Sequence, residues 1–185
     1  MSVLPIHTYG SAVLRKKAQP VRELTNETVK LIMDMFETMH NADGIGLAAN
    51  QVGVLRRVVV MDLSEMEETK GLKPIVLINP VIVSEEGSWT MEEGCLSIPE
   101  VRDHVERSEK VKFKFKNADF QEVNLEASGL VARVILHEID HLNGILFIDH
   151  LTSAKKKLHA PRLRMIQKGD FEVSYPVATA AEVAA

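Results

Sequence analysis

The sequence predicts an α+β fold, with antiparallel or mixed β-sheets packed around a central helix and further helices toward the N- and C-terminal ends. Three observations point there. Leu130, Val134, His137 and His141 recur at helical spacing, and at about 100° per residue they share one narrow arc. Arg57–Leu63 and Ile75–Val83 are β-branched runs of strand length. Val111-Lys112-Phe113-Lys114-Phe115 alternates apolar and charged residues, the pattern of a half-buried antiparallel strand.

Residues 1 to about 24 are irregular, broken by Pro5, Gly10 and Pro20. A helix is expected from Thr25 or Asn26 to Met39, capped by one of those two residues, with Glu27 in its first turn and an apolar stripe of Val29, Ile32, Met33, Phe36 and Met39. Asn41 to Gly53 reads as a loop of small residues, whose glycines suit a close approach of backbone to another group. Gly44-x-Gly46-x-x-Ala49 satisfies a relaxed dinucleotide-binding pattern, but it follows a helix rather than a strand, so that reading fails. Gln51 is the one long polar side chain in the middle of that loop. Ser64 to Lys73 is an exposed charged loop, and Ser84 to Met91 a turn followed by a short strand. Phe120 to Leu125 is expected to pair with the 111–115 strand across a turn at Asn117–Asp119. Ser128 caps the helix that carries the histidines, and Asn143-Gly144 stops it. Ile145–Ile148 reads as a short strand, and Thr152 to Gln167 as a basic segment interrupted by Pro161. From Val173 onward no cap or periodicity is evident, so a poorly ordered tail is expected.

Composition narrows the function. At 185 residues with 45% hydrophobic and 26% charged, the chain has ordinary globular composition and the length of one domain. A formal net charge of −4 disfavours general nucleic-acid binding. A single cysteine, Cys95, permits no internal disulfide and fits a reducing compartment. No secretory signal is visible, and no apolar run approaches the ~20 residues that span a bilayer. The expected location is the cytoplasm, with no membrane attachment.

His137-Glu138-Ile139-Asp140-His141 is an HExxH motif. Residues four apart lie nearly above one another on a helix, so the two imidazoles can hold one metal ion while Glu138 reaches a water beside it. Two incidental histidines on a core helix would look the same in isolation. A catalytic site of this kind usually takes three protein ligands. The extended pattern HExxHxxGxxH holds through Gly144 but ends on Phe147, which cannot ligate. After Glu138 the next glutamate is Glu172, beyond the basic stretch. Cys95 remains: a lone cysteine is usually a buried thiol, yet thiolate is a strong transition-metal ligand, and Gly94 beside it allows close approach.

Gly44-Ile45-Gly46-Leu47-Ala48-Ala49-Asn50-Gln51, Glu93-Gly94-Cys95-Leu96-Ser97 and the HExxH segment together resemble the three motifs of the peptide deformylase family, in the family's order and with the bacterial form of the second motif. The resemblance runs from about residue 4 to residue 165. It implies Cys95, His137 and His141 as metal ligands and Glu138 as catalytic acid and base. It further implies Gln51 and the backbone N–H of Leu96 as donors to the developing oxyanion. Ile45 and Met91 would join Leu130 and Val134 in a slot for methionine, and the edges at Ile45-Gly46 and Gly94 would pair with an extended peptide. Arg102 is expected to orient a carboxylate network or loop. The implied metal is Fe(II), with Zn, Ni or Co able to occupy the same ligands. The implied activity is removal of the formyl group from N-formylmethionyl nascent peptides by a monomer, near the ribosomal exit tunnel. Residues 1–170 would form the single catalytic domain and 171–185 the tail. A metal-dependent endopeptidase and a purely structural metal site are the alternatives; the first lacks its third ligand, and the second would have no use for Glu138.

Overall fold

The computed structural model describes residues 1–183. Its architecture is α+β with antiparallel sheets and few helices. In chain order the strands are β1 (Ile6–His7), β2 (Gly46–Ala48), β3 (Val58–Met61), β4 (Ile75–Glu86), β5 (Trp89–Cys95), β6 (Ile98–Arg107), β7 (Lys110–Lys116), β8 (Glu122–Ser128) and β9 (Val177–Ala178). The helices are α1 (Asn26–Asn41), α2 (Gly129–Leu142), α3 (Ser153–Lys168) and the short α4 (Ala180–Val183). A five-stranded sheet runs β2-β3-β4-β7-β8, all antiparallel, while β5-β6 and β1-β9 form two-stranded ribbons.

The unbroken apolar run of β3 has a direct cause. Val59 and Met61 face a core shared with Leu77 of β4, Phe113 and Phe115 of β7, and the α2 residues Val134, Ile135 and Ile139. Val58 and Val60 face the other way, into a core with Val76, Ile78 and the α1 residues Leu31, Met35 and Met39. A strand covered by helices on both faces has no solvent side, so no position alternates to polar. The third core joins Ile98, Val101 and Val105 of β6 to Leu146, Phe147, Ile148 and the α3 residues Leu163 and Ile166.

Thr25 caps α1, accepting from Thr28 N at 3.3 Å, but the buried face of the helix differs from the expected stripe. Val29 and Met33 are exposed, whereas Leu31, Met35 and Met39 are buried. The face is rotated because Asp34 and Thr38 turn inward to accept Ser2 N at 2.8 Å and Leu4 N at 2.9 Å from the N-terminal segment. Buried polar side chains with partners outweigh a count of apolar ones.

Three further segments differ from expectation. The region 46–53 is not a plain loop, since β2 and a 3₁₀ turn at Ala49–Val52 occupy it. The Ile145–Ile148 run is not a strand, because Asp149 accepts Leu146 N at 2.8 Å and winds Phe147–His150 into a 3₁₀ turn. Pro161 does not interrupt α3, which runs continuously from its Thr152 cap to Gly169. The tail expected to be loose is docked through the described residues: β9 pairs in parallel with β1, Ile6 opposite Val177 and His7 opposite Ala178. Phe171, Val173, Tyr175 and Val177 alternate half-buried with exposed Glu172, Ser174 and Pro176. That period of two is a strand-like signal. Positions 184 and 185 lie outside the described residues.

Asp103 of β6 fastens α3, bonding Lys155 at 2.6 Å and His159 at 2.8 Å. The Lys155 bond, with that of His159, outweighs burial and holds the Asp103 carboxyl down to about 2 from an ordinary 3.8. Its contribution to stability is therefore complete above the unfolded value and lost as pH falls toward 2. Asp103→Asn should lower the thermal unfolding midpoint at neutral pH by about 1–4 °C. Calorimetry should show this difference closing as the pH falls from about 4 to about 2; a difference independent of pH would disprove the linkage.

Candidate metal centre

Three pieces of chain meet at the α2 histidines. Helical spacing puts His137 and His141 on successive turns of one face, with Nε2 atoms 3.2 Å apart. Cys95 closes β5, and its Sγ lies 3.2 Å from His141 Nε2. A register shift between Gly94 and Cys95 moves the pairing from Arg102 to Ile98, so the hairpin bulges where the thiol must turn toward the helix. Glu100, on the bulged strand, has a left-handed φ of 60°.

The residues fit a metal. One sulfur and two imidazole nitrogens lie within 4.8 Å of one another. A tetrahedral ion with bonds of about 2.0–2.3 Å holds its ligand atoms roughly 3.3–3.6 Å apart, close to the separations here. The donor set, thiolate plus neutral imidazoles, suits Fe, Zn, Ni and Co alike.

Glu93 of β5 organises the surroundings. Its carboxylate accepts His137 Nδ1 at 2.9 Å, Arg107 Nε at 2.6 Å and Arg133 Nη1 at 2.8 Å, and it is 6% exposed. Burial alone would push this carboxyl up, but the bonds and charges of His137 and Arg107 prevail and hold it well below the usual range. With Nδ1–H committed to Glu93, His137 keeps its Nε2 lone pair for a metal. Arg107 also bonds Asp140 at 2.6 Å, within the HExxH segment itself. Neither Arg107 nor Arg133 stands out in the sequence. Arg102 does, yet its guanidinium lies 3.9 Å from Glu92 on the surface, with 70% of the side chain exposed. The signal that could have found Arg133 is a charged residue inside the apolar arc of α2, which demands a buried partner.

Glu138 is 4% exposed, and its Oε2 has no hydrogen-bond partner. Burial pushes its carboxyl up to about 7, against the opposing charges of His137 and Arg107. A Cβ at Gly46 would sit 2.6 Å from Glu138 Oε1, so only glycine allows β2 to pass this close. Gly44 meets Leu96 in the same way, at 2.8 Å. Gln51, 2% exposed on its 3₁₀ turn, has its orientation fixed: Ala48 N donates to Oε1 at 2.8 Å. Its NH₂ therefore faces Cys95 Sγ at 3.6 Å and Ser97 Oγ at 3.2 Å.

These groups border a cavity of about 550 Å³. Ile45, Met91, Leu130 and Val134 give it an apolar side, and Gly46, Gly94 and Leu96 also line it. The structure thus gathers all the candidate residues at one place, every one of them lining the cavity except His141, which meets Cys95 and His137 just behind it, 1% exposed. Val173 and Tyr175 line the cavity as well, although sequence alone assigns them to a tail without function.

A family model described as Polypeptide deformylase matches residues 3–157. The peptide deformylase of Salinibacter ruber is 47% identical, with 96% of this chain and 95% of that protein covered. Among solved structures, a peptide deformylase from Legionella pneumophila superposes with a TM-score of 0.82 at 38% identity, over 90% of this chain and 96% of the other. That of Ehrlichia chaffeensis in complex with actinonin gives 0.83 at 36%, over 93% and 100%.

Glu93→Gln removes the charge that orients His137 and leaves two buried guanidiniums short of a partner. Competition against a chelator should show divalent-metal affinity falling about 10–100-fold. Unchanged affinity would remove Glu93 from the site's support.

Proposed function

The chain belongs to the peptide deformylase family, and from that premise we propose how its own residues carry the reaction. The enzyme is a hydrolase that removes the N-formyl group from formylated nascent polypeptides, a step of protein biosynthesis. One observation carries the assignment of roles: a buried Glu138 oxygen without a partner stands beside a thiol and two imidazoles in ligand-like array, at the edge of a cavity.

Cys95, His137 and His141 would hold a divalent ion, Fe(II) in this reading, with Zn, Ni or Co acceptable to the same donors. When bound, that ion supplies Lewis acidity, polarising the formyl group and making water a nucleophile near neutral pH. Glu138 takes the proton of the attacking water at its free oxygen, then delivers it to the departing amine. A carboxyl poised near 7 suits both transfers. The former carbonyl oxygen becomes negative as the formyl carbon turns tetrahedral. The Gln51 NH₂ and the Leu96 backbone N–H stabilise it, a kind of contact whose loss typically costs ~10²–10³ in rate. Ile45, Met91, Leu130 and Val134 receive the methionine side chain. Gly46 and Gly94 leave strand edges to which the rest of the peptide adds as a strand. Formate and a free amino terminus are the products.

Among the described residues no helix is long and apolar enough to cross a membrane. The substrate exists where chains are made, so the reading places the enzyme in the cytoplasm, on chains emerging near the ribosomal exit tunnel. It acts as a monomer, because one chain contributes every group the reaction uses, and it needs no nucleic-acid specificity. Residues 1–170 carry every group assigned to the chemistry, and the segment after them packs back onto the same cavity.

Anaerobically prepared protein should release formate from formyl-Met peptides without cutting internal peptide bonds. Glu138→Gln should abolish turnover with metal still bound; formate release surviving that change would refute the acid/base role. Gly46→Ala should cut kcat at least tenfold at unchanged metal content, because the new methyl displaces the Glu138 carboxylate. Wild-type kcat in that variant would mean that the close approach is irrelevant to catalysis.

A further inference from the structure

The family model matches residues 3–157, and the chain returns to the cavity after α3. The returning segment is held at both ends. Gly169 closes α3 with a left-handed φ of 80°, and β9 pairs with β1, where Ile6 N also donates to Pro176 O at 2.9 Å. Between those anchors Val173 and Tyr175 reach the wall of the cavity that holds Cys95 and Glu138.

Tyr175 makes a specific contact there. Its hydroxyl donates to the carbonyl oxygen of Leu96 at 2.8 Å. Leu96 and Ser97 form the tight turn between β5 and β6, and that turn is pinned from other sides too. Tyr9 N donates to Ser97 O at 2.8 Å, and the Gln51 NH₂ to Ser97 Oγ at 3.2 Å. The Leu96 N–H is mounted on this turn, one α-carbon from the carbonyl that Tyr175 holds. A donor that must meet a developing oxyanion cannot rotate freely.

The lining also divides by position. The formyl end belongs at Cys95 and Glu138, and the methionine slot is the apolar side built on α2. Val173 and Tyr175 line the same cavity but belong to neither of these groups, and Tyr175 stands against Leu96, so they remain for the substrate residues after methionine. We propose that residues 173–175 belong to the substrate site. The Tyr175 hydroxyl is a positioning group for the Leu96 turn, and Val173 with the Tyr175 ring forms the wall met by the peptide beyond formyl-methionine. This rests on the reading of Leu96 and Gln51 as oxyanion donors.

The test uses the full-length, metal-loaded enzyme and two substrates, a formyl-Met dipeptide and a formyl-Met tetrapeptide. Tyr175→Phe keeps the ring and removes only the hydroxyl. It should lower kcat about three- to tenfold on both substrates, with KM, metal content and thermal midpoint near wild type. Val173→Ala should raise KM for the tetrapeptide about two- to tenfold and leave the dipeptide unchanged, a split that a purely structural role would not produce. Gln51→Ala serves as the reference. If it lowers kcat while Tyr175→Phe does not, the positioning role is overturned and the oxyanion reading stands. If Gln51→Ala itself has no effect, the oxyanion reading falls first. A Val173→Ala enzyme whose KM is unchanged, or changed equally for both lengths, overturns the wall.

Discussion

A buried carboxylate, Glu93, is what the site depends on. It sits on the β5–β6 hairpin and accepts bonds from Arg107 of the same hairpin and from Arg133 and His137 of α2. Cys95 lies two residues further along that hairpin, so the bonds that dock Glu93 on the helix also bring the thiol to the imidazoles. Taking one carboxylate and two guanidiniums out of water is costly, and only mutual pairing recovers it. Arg107 turns its remaining donors to Asp140, which in turn accepts His150 at 2.7 Å, so the charges balance in sign around the cluster. The consequence is specificity of placement: the hairpin cannot slide along α2 without stranding a buried charge.

That constraint explains which parts of the structure are legible in the sequence. HExxH and the four-residue spacing of its histidines are local facts of helix geometry, and α2 forms around them as its apolar positions require. The strand runs at 57–63 and 75–83 and the alternating 111–115 segment likewise carry their own periodicity. Glu93, Arg107 and Arg133 are different, since partners 14 and 40 residues apart in the chain leave no spacing to read. Arg102 draws notice because it follows the cysteine motif, and it lies exposed at the cavity beside Glu92 and Gly94; the buried arginine on Glu93 is Arg107, which burial, invisible in one sequence, selects. The α1 face shows the same failure in miniature. Apolar counting favours Val29 and Met33, while the deciding contacts are backbone amides of residues 2 and 4 bonded to Asp34 and Thr38.

The small-residue segment is legible in kind and incomplete in form. Gly44 and Gly46 do mark close approach, and what they approach is Leu96 and Glu138, the neighbours of two ligands. A side chain at either place would intrude on the site itself rather than on inert core. The tail escapes sequence reasoning for a complementary reason. Phe171, Val173, Tyr175 and Val177 alternate over too short a span, without glycine or proline framing on both sides, to outweigh an alanine-rich end.

Once docked, that tail changes how the cavity is built. Its other walls come from elements whose cores exist regardless of the site: α2 against the five-stranded sheet, and the β5–β6 hairpin against the turn after residue 146 and α3. The returning segment has little core of its own. Its half-buried residues are shared among three bodies, with Phe171 against the β6–α3 core, Tyr175 against the α1 core, and Val177 on β1. A segment held by so few and such small contacts opens more readily than a core strand. The cavity therefore has two walls built on large cores and one lighter wall anchored at its ends, and the proposed peptide wall falls on the part of the lining with the least core of its own.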